Sequence, residues 1–160
     1  LMPDAAYHIS QAEWDFWDSD DALNVMVPGR ESFAVGAKSR FDKLRDQISF
    51  FKGGDDILSS IEAVDTSGHT PGHASFLIHH SAGQVLIAGD ALTHPIISIE
   101  HPEWQDPADM DRGKAALTRK RLLDRLAADK IGLAATHLPA PGFGHVETNQ
   151  SVWRYIAADS

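Results

Sequence analysis

The stretch Ser67-Gly68-His69-Thr70-Pro71-Gly72-His73 lies between two strand-like runs, Ile57 to Val64 and Ala74 to Ile78. A helical pairing of its two histidines is disfavoured, because a proline inside a helix costs about 3 kcal/mol and glycines flank the pair. The segment reads instead as a tight loop, with His69 at the end of the first strand. Two further apolar runs end in the same way. Val85 to Ala88 runs into Gly89-Asp90, and Ile131 to Ala135 runs into Thr136-His137-Leu138-Pro139. Strand ends that deliver His69, Asp90 and His137 put these side chains at a sheet edge, where α/β proteins gather loops and build sites. Gly89 lets the backbone come close at that edge.

Two imidazoles and a carboxylate suit zinc, and also iron or manganese, since neutral nitrogen and anionic oxygen match borderline divalent ions. Composition points to the same donors. The 160 residues include nine His and no Cys, which excludes a thiolate zinc finger, a Cys-held iron–sulfur cluster, a disulfide framework and a cysteine nucleophile. Asp and Glu number 23 against 14 Lys and Arg, a net charge of −9. That balance argues against a general nucleic-acid binder, whose phosphate contacts need clustered cations. The basic run Arg119-Lys120-Arg121 reads as a solvated helix face, offset by Asp124 and Asp129. No apolar run approaches the ~20 residues of a membrane span, so no membrane partner is expected. No basic region followed by an apolar stretch opens the chain, so a signal peptide is not expected and the compartment stays open.

Around this centre the sequence predicts one α/β domain over residues 1–160, with no linker or repeat. Tyr7 to Ile9 is extended, and Ser10 with Glu13 is the signature of a capping box opening a helix through Trp17. Trp14, Phe16 and Trp17 read as core or contact residues. Residues 18 to 36 read as a loop, and Ala37 to Phe51 as a helix stopped by Gly53-Gly54, on the spacing of Phe41, Leu44, Ile48 and Phe51. Ser81-Ala82-Gly83-Gln84 is the hairpin turn before Val85. A proline-rich loop holds His94 and His101. Pro107 to Asp129 is the longest helix, with Leu117, Leu122, Leu123 and Leu126 inward and Arg112, Arg119, Lys120 and Arg125 in solvent. Ser151 to Ile156 closes as a strand.

The ordered set of Gly68-His69-Thr70-Pro71-Gly72-His73, then Gly89-Asp90, then Thr136-His137 with Pro141-Gly142-Phe143-Gly144-His145 resembles the metallo-β-lactamase-fold hydrolases. Within them it is most similar to the branch of methyl parathion hydrolase-like and lactonase-like enzymes. The resemblance is close over residues 57 to 147 and looser elsewhere. It implies an αββα sandwich and two divalent metal ions, zinc first, with iron or manganese as alternatives. It implies His69 as a ligand of one ion, His137 of the other, and Asp90 bridging both as the catalytic carboxylate. A metal-bridging hydroxide would then attack an ester, lactone, thioester or phosphotriester.

The family's His-x-His-x-Asp-His signature has no match upstream of His69, where His8 is the one histidine. The resemblance therefore implies the C-terminal portion of a longer enzyme, a sandwich incomplete at its N-terminus, whose exposed apolar sheet would favour homo-oligomers. His73 matches a residue behind the ligands. His94, His101 and His145 stand where they could meet a small-molecule substrate. Two other readings use the same residues: a mononuclear iron site of two His and one carboxylate for oxygen chemistry, and a non-catalytic scaffold of the same fold.

Overall fold

In the computed structural model, residues 2, 5–25, 29, 31–150 and 152–158 are described. The chain divides into two compact units, Leu1–Lys52 and Gly53–Ser160.

In the first unit, strand β1 (Tyr7–Ser10) pairs in parallel with β2 (Ile48–Phe51). Between them run helices α1 (Gln11–Trp17), α2 (Asp21–Val25) and α3 (Glu31–Leu44). Residues 18 to 36 are thus not simply a loop: they hold α2 and the first turns of α3. Their Asp, Asn, Pro and Gly content masked Glu31-Ser32-Phe33-Ala34, where a first-turn carboxylate favours the helix N-terminus. The predicted helix over Ala37 to Phe51 ends instead at Leu44, in a 3₁₀ turn over Arg45–Gln47. Ile48 and Phe51 continue the apolar helical spacing by coincidence, while β1 offers β-branched and aromatic residues a ladder to join. Ser10 makes no side-chain cap, and Glu13 instead accepts from Nε1 of Trp17 at 2.6 Å. Trp14 is buried, stacked on Phe41 at 4.6 Å with the Arg45 guanidinium 4.9 Å from its ring.

The second unit is a seven-stranded sheet in chain order: β3 (Asp56–Leu58), β4 (Ile61–Asp65), β5 (Ala74–His80), β6 (Gly83–Ile87), β7 (Gly132–Ala134), β8 (Phe143–Asn149) and β9 (Val152–Ala157). The single run predicted over Ile57 to Val64 is therefore two strands meeting at Ser59-Ser60. Strand β8 was not anticipated, because Pro141 and two glycines beside Phe143 carry turn chemistry that hides a strand start. Ser151, the predicted first residue of the last strand, lies outside the described residues.

The crossover from β6 to its parallel partner β7 carries helix α4 (Arg112–Ala128). Pro107 to Asp111 do not join this helix. Asp111 is its cap, accepting from the Lys114 N–H at 2.9 Å. Leu77, Leu86 and Leu133 stand opposite one another across three strands, and Leu122, Leu123 and Leu126 of α4 join them in one buried cluster. Each such side chain contributes about 1.5–3 kcal/mol through burial.

Two assignments on α4 are corrected. Leu117, predicted inward, is 64% exposed; Arg119, predicted in solvent, is 3% exposed. The buried stripe is Ala115, Thr118, Arg119, Leu122, Leu123 and Leu126, a regular 3-and-4 spacing that takes in Arg119 and passes Leu117 by. In the predicted proline-rich loop, Pro95 opens a π-helical turn, Pro95–Glu100, while Pro102 and Pro107 lie beyond it.

Candidate functional site

Strands β4 and β6 are each antiparallel to β5, and β6 is parallel to β7. The C-terminal ends of β4, β6 and β7 therefore share one edge, and His69, Asp90 and His137 lie on the segments that leave it. For the last two the correspondence is one of register. Ile87 pairs with Ala134, and Asp90 and His137 each stand three residues further along.

The Asp90 carboxylate sits between the two imidazoles. Its Oδ1 is 3.0 Å from Nε2 of His137, and its Oδ2 is 3.5 Å from Nε2 of His69. Each ring thus faces its own oxygen. His69 is the more sheltered ring, with 20% of its side chain exposed against 52% for His137.

Behind His69 stands a buried ion pair. Its Nδ1 is 3.2 Å from Oδ1 of Asp109, and Arg119 Nη1 donates to Oδ2 of the same carboxylate at 2.7 Å. Arg119 also donates from Nη2 to the Trp104 carbonyl at 2.9 Å and from Nε to that of Pro102 at 3.3 Å. The hydrogen bond to Asp109 is the main influence holding the His69 pKa above its ordinary value, against burial and with help from the Asp90 charge. Burial alone would raise the Asp109 carboxyl, but hydrogen bonds from His69 and Arg119 outweigh it and keep it below the usual range.

The loop carrying His69 is fixed through its backbone. Met110 N–H donates to the His69 carbonyl at 3.0 Å and Asp111 N–H to that of Gly68 at 2.9 Å. The Thr118 hydroxyl donates to the Ser67 carbonyl at 2.9 Å. Gly68 has φ +136°, and a Cβ there would stand 2.5 Å from both Cα and N of Ala115, so only glycine lets α4 approach this closely.

His73 holds the backbone beside Asp90. The Ala88 carbonyl can only accept, so the Ser75 hydroxyl donates to it at 2.9 Å. Ser75 Oγ in turn accepts from Thr66, 2.9 Å away, which leaves Thr66 Oγ1 to accept from His73 Nδ1 at 2.8 Å. His73 Nε2 is then a lone pair, and it accepts the Asp90 N–H at 3.1 Å.

The remaining predicted residues lie apart. His94 Nδ1 accepts from the N–H groups of Ile96 and Ile97, His101 stacks on Trp104 at 4.1 Å, and His145 on β8 pairs with Glu147 at 3.1 Å. None of these contacts reaches His69, Asp90 or His137. An open groove of about 480 Å³ adjoins the edge, lined by Ile87, Gly89, Thr136, Leu138, Pro141 and Gly142 among others. Sequence reasoning missed Asp109, Arg119, Thr66 and Ser75. Of these, Arg119 alone had a signal, its place in the apolar stripe of α4.

Chemically, the trio fits borderline divalent ions: one carboxylate offers an oxygen to each side, and an anchored imidazole is a usual ligand arrangement. Among the described residues, no group of three or more His, Asp or Glu is arranged to hold a single ion.

Comparison with known proteins agrees with this architecture. The hydrolase AbOPH, described as in the beta lactamase superfamily, superposes with a TM-score of 0.85 at 24% identity over 99% of this chain and 56% of its own. AidC, a dizinc quorum-quenching lactonase solved with a product, gives 0.87 at 25% identity over the same shares. A probable metal-dependent hydrolase from Staphylococcus aureus gives 0.72 at 15% identity, over 98% of this chain and 53% of its own. The chain thus spans little more than half the length of these structures. No curated protein matches it. The sequence model of the metallo-beta-lactamase superfamily matches residues 4–133, most of the chain and both ends of the β4–β6 span that carries His69 and Asp90, and the chain belongs to that superfamily.

Proposed function

We propose that this chain belongs to a metal-dependent hydrolase acting on an ester, lactone, thioester or phosphotriester. The observation that carries the reading is the Asp90 carboxylate placed between the Nε2 atoms of His69 and His137. His69 and His137 would each hold one of two divalent ions, zinc by the example of the dizinc lactonase AidC, and Asp90 would hold both. When bound, such ions supply Lewis-acid polarisation of the scissile group and an activated water at neutral pH. The chain's own residues prepare that role: Asp109 orients the His69 ring, and His73 fixes the backbone from which Asp90 projects. No Ser or Cys nucleophile is needed.

The iron oxygenase reading needs three donors around one ion. The two imidazoles instead face different oxygens of Asp90. The non-catalytic scaffold reading draws on the lack, among the described residues, of a three-donor group around one point. Assay of the full-length protein on a lactone, an aryl ester, a thioester and a phosphotriester separates these readings. Hydrolysis of at least one should vanish on exhaustive chelation and return with Zn²⁺. Turnover that survives chelation, or survives Asp90→Ala, overturns the proposal.

A further inference from the structure

Arg119 is a charged side chain 3% exposed on the face of α4 that packs on the sheet. Burying a guanidinium costs several kcal/mol unless its donors are matched. Here Nη1, Nη2 and Nε each have an acceptor, one of them the Asp109 carboxylate and the other two the carbonyls of Trp104 and Pro102. A hydrophobic residue would serve packing as well or better, so packing does not account for an arginine at this point. What the pair does have is an outlet. The Asp109 oxygen not held by Arg119 is the one 3.2 Å from His69 Nδ1.

We propose that Arg119 is a positioning residue of the site: by holding Asp109 as a buried carboxylate aimed at Nδ1, it fixes the His69 proton there and leaves the Nε2 lone pair directed at Asp90. Both carboxylates beside the ring can only accept, but Asp109 comes closer, 3.2 Å from Nδ1 against 3.5 Å for Asp90 from Nε2, and its oxygen is aimed by Arg119, so the single proton of the neutral ring goes to Nδ1. The same guanidinium ties the 102–104 backbone to α4, so the segment between Asp90 and the helix and the orientation of His69 are set by one side chain. The inference deepens the metal-site reading and rests on it for its functional meaning, but its test needs no metal.

The test is the tautomer of His69 in the metal-free chain, read by long-range ¹H–¹⁵N correlation at a pH high enough for the ring to be neutral, with the signal assigned by its loss in His69→Asn. The unmodified chain should show the proton on Nδ1. Arg119→Met and the charge-retaining Arg119→Lys, which cannot reach all three acceptors, should both move a substantial fraction of the proton to Nε2 while far-UV circular dichroism stays unchanged. A pure Nδ1-H signal in both variants overturns the proposal, as does loss of folding in both, since Arg119 would then support the fold rather than the ring. Failure of metal-dependent hydrolysis with the tautomer shift present would instead count against the functional reading alone.

Discussion

His73 accepts the backbone N–H of Asp90 through Nε2 at 3.1 Å. Because the chain of hydroxyls behind it ends on the Ala88 carbonyl, the direction of every hydrogen bond is determined. His73→Leu should leave the Thr66 hydroxyl and the Asp90 N–H without this partner and cost about 2–3 kcal/mol. A urea midpoint equal to that of the unmodified chain would contradict the scheme.

Gly68 and Gly54 both have positive φ, +136° and +92°, but only Gly68 has backbone atoms of Ala115 where a Cβ would go. Gly68→Ala should lose about 3 kcal/mol or more, from strain and overlap together, whereas Gly54→Ala should lose about 1 kcal/mol from strain. Thermal melts of the two variants check the ordering, and equal losses would refute the close approach of α4.

Leu123 is fully buried and Leu117 is 64% exposed. Leu123→Ala should destabilise by about 2–5 kcal/mol and Leu117→Ala by no more than about 0.5 kcal/mol. Chemical denaturation distinguishes this from the comparable losses expected if both leucines faced inward, as their spacing alone suggested.

Acid should weaken the fold from about pH 4 downward. Asp109 is held below the ordinary carboxyl value, as described, and Asp65 too: burial opposes its ionisation, but hydrogen bonds from Ser67 and the charges of Lys114 and Arg121 prevail. Their contribution is complete above the unfolded value of about 3.9 and is lost as pH falls through the lower folded values. His69, whose folded value is raised, acts in the opposite sense in the metal-free chain: its contribution is complete below about 6.5 and is lost as pH rises through the folded value. Urea midpoints between pH 2.5 and 9 measure both limbs, and a flat midpoint below pH 4 would refute the first.

The edge that gathers His69, Asp90 and His137 was legible because each stands where an apolar run meets glycine, threonine or proline, a contrast that survives in a single sequence. What lay behind them was not. Asp109 is 40 residues from His69, in a stretch that reads as the first turn of the long helix, and no local pattern links the two. Arg119 was misread because charge normally signals solvent, and only the ion pair with Asp109 reverses that. Ile48 to Phe51 deceived in another way: their spacing fits a helix, and it is the pairing with Tyr7 to Ser10 that makes them a strand. Propensity gave way to tertiary contact there.

The equal offset of Asp90 and His137 from the paired residues Ile87 and Ala134 separates two quantities that sequence comparison tends to join. The number of residues between them is the length of the crossover, whereas their separation in space is a property of two adjacent strands. Segments inserted into or deleted from 92–111, or a crossover helix exchanged for another, leave the spacing of the two side chains to the sheet. The crossover is thereby a part of the second unit in which evolution or a designer can vary length and chemistry beside the site without dismantling it, provided Asp109 with Arg119, and the hold of Met110, Asp111, Ala115 and Thr118 on the His69 loop, are carried along.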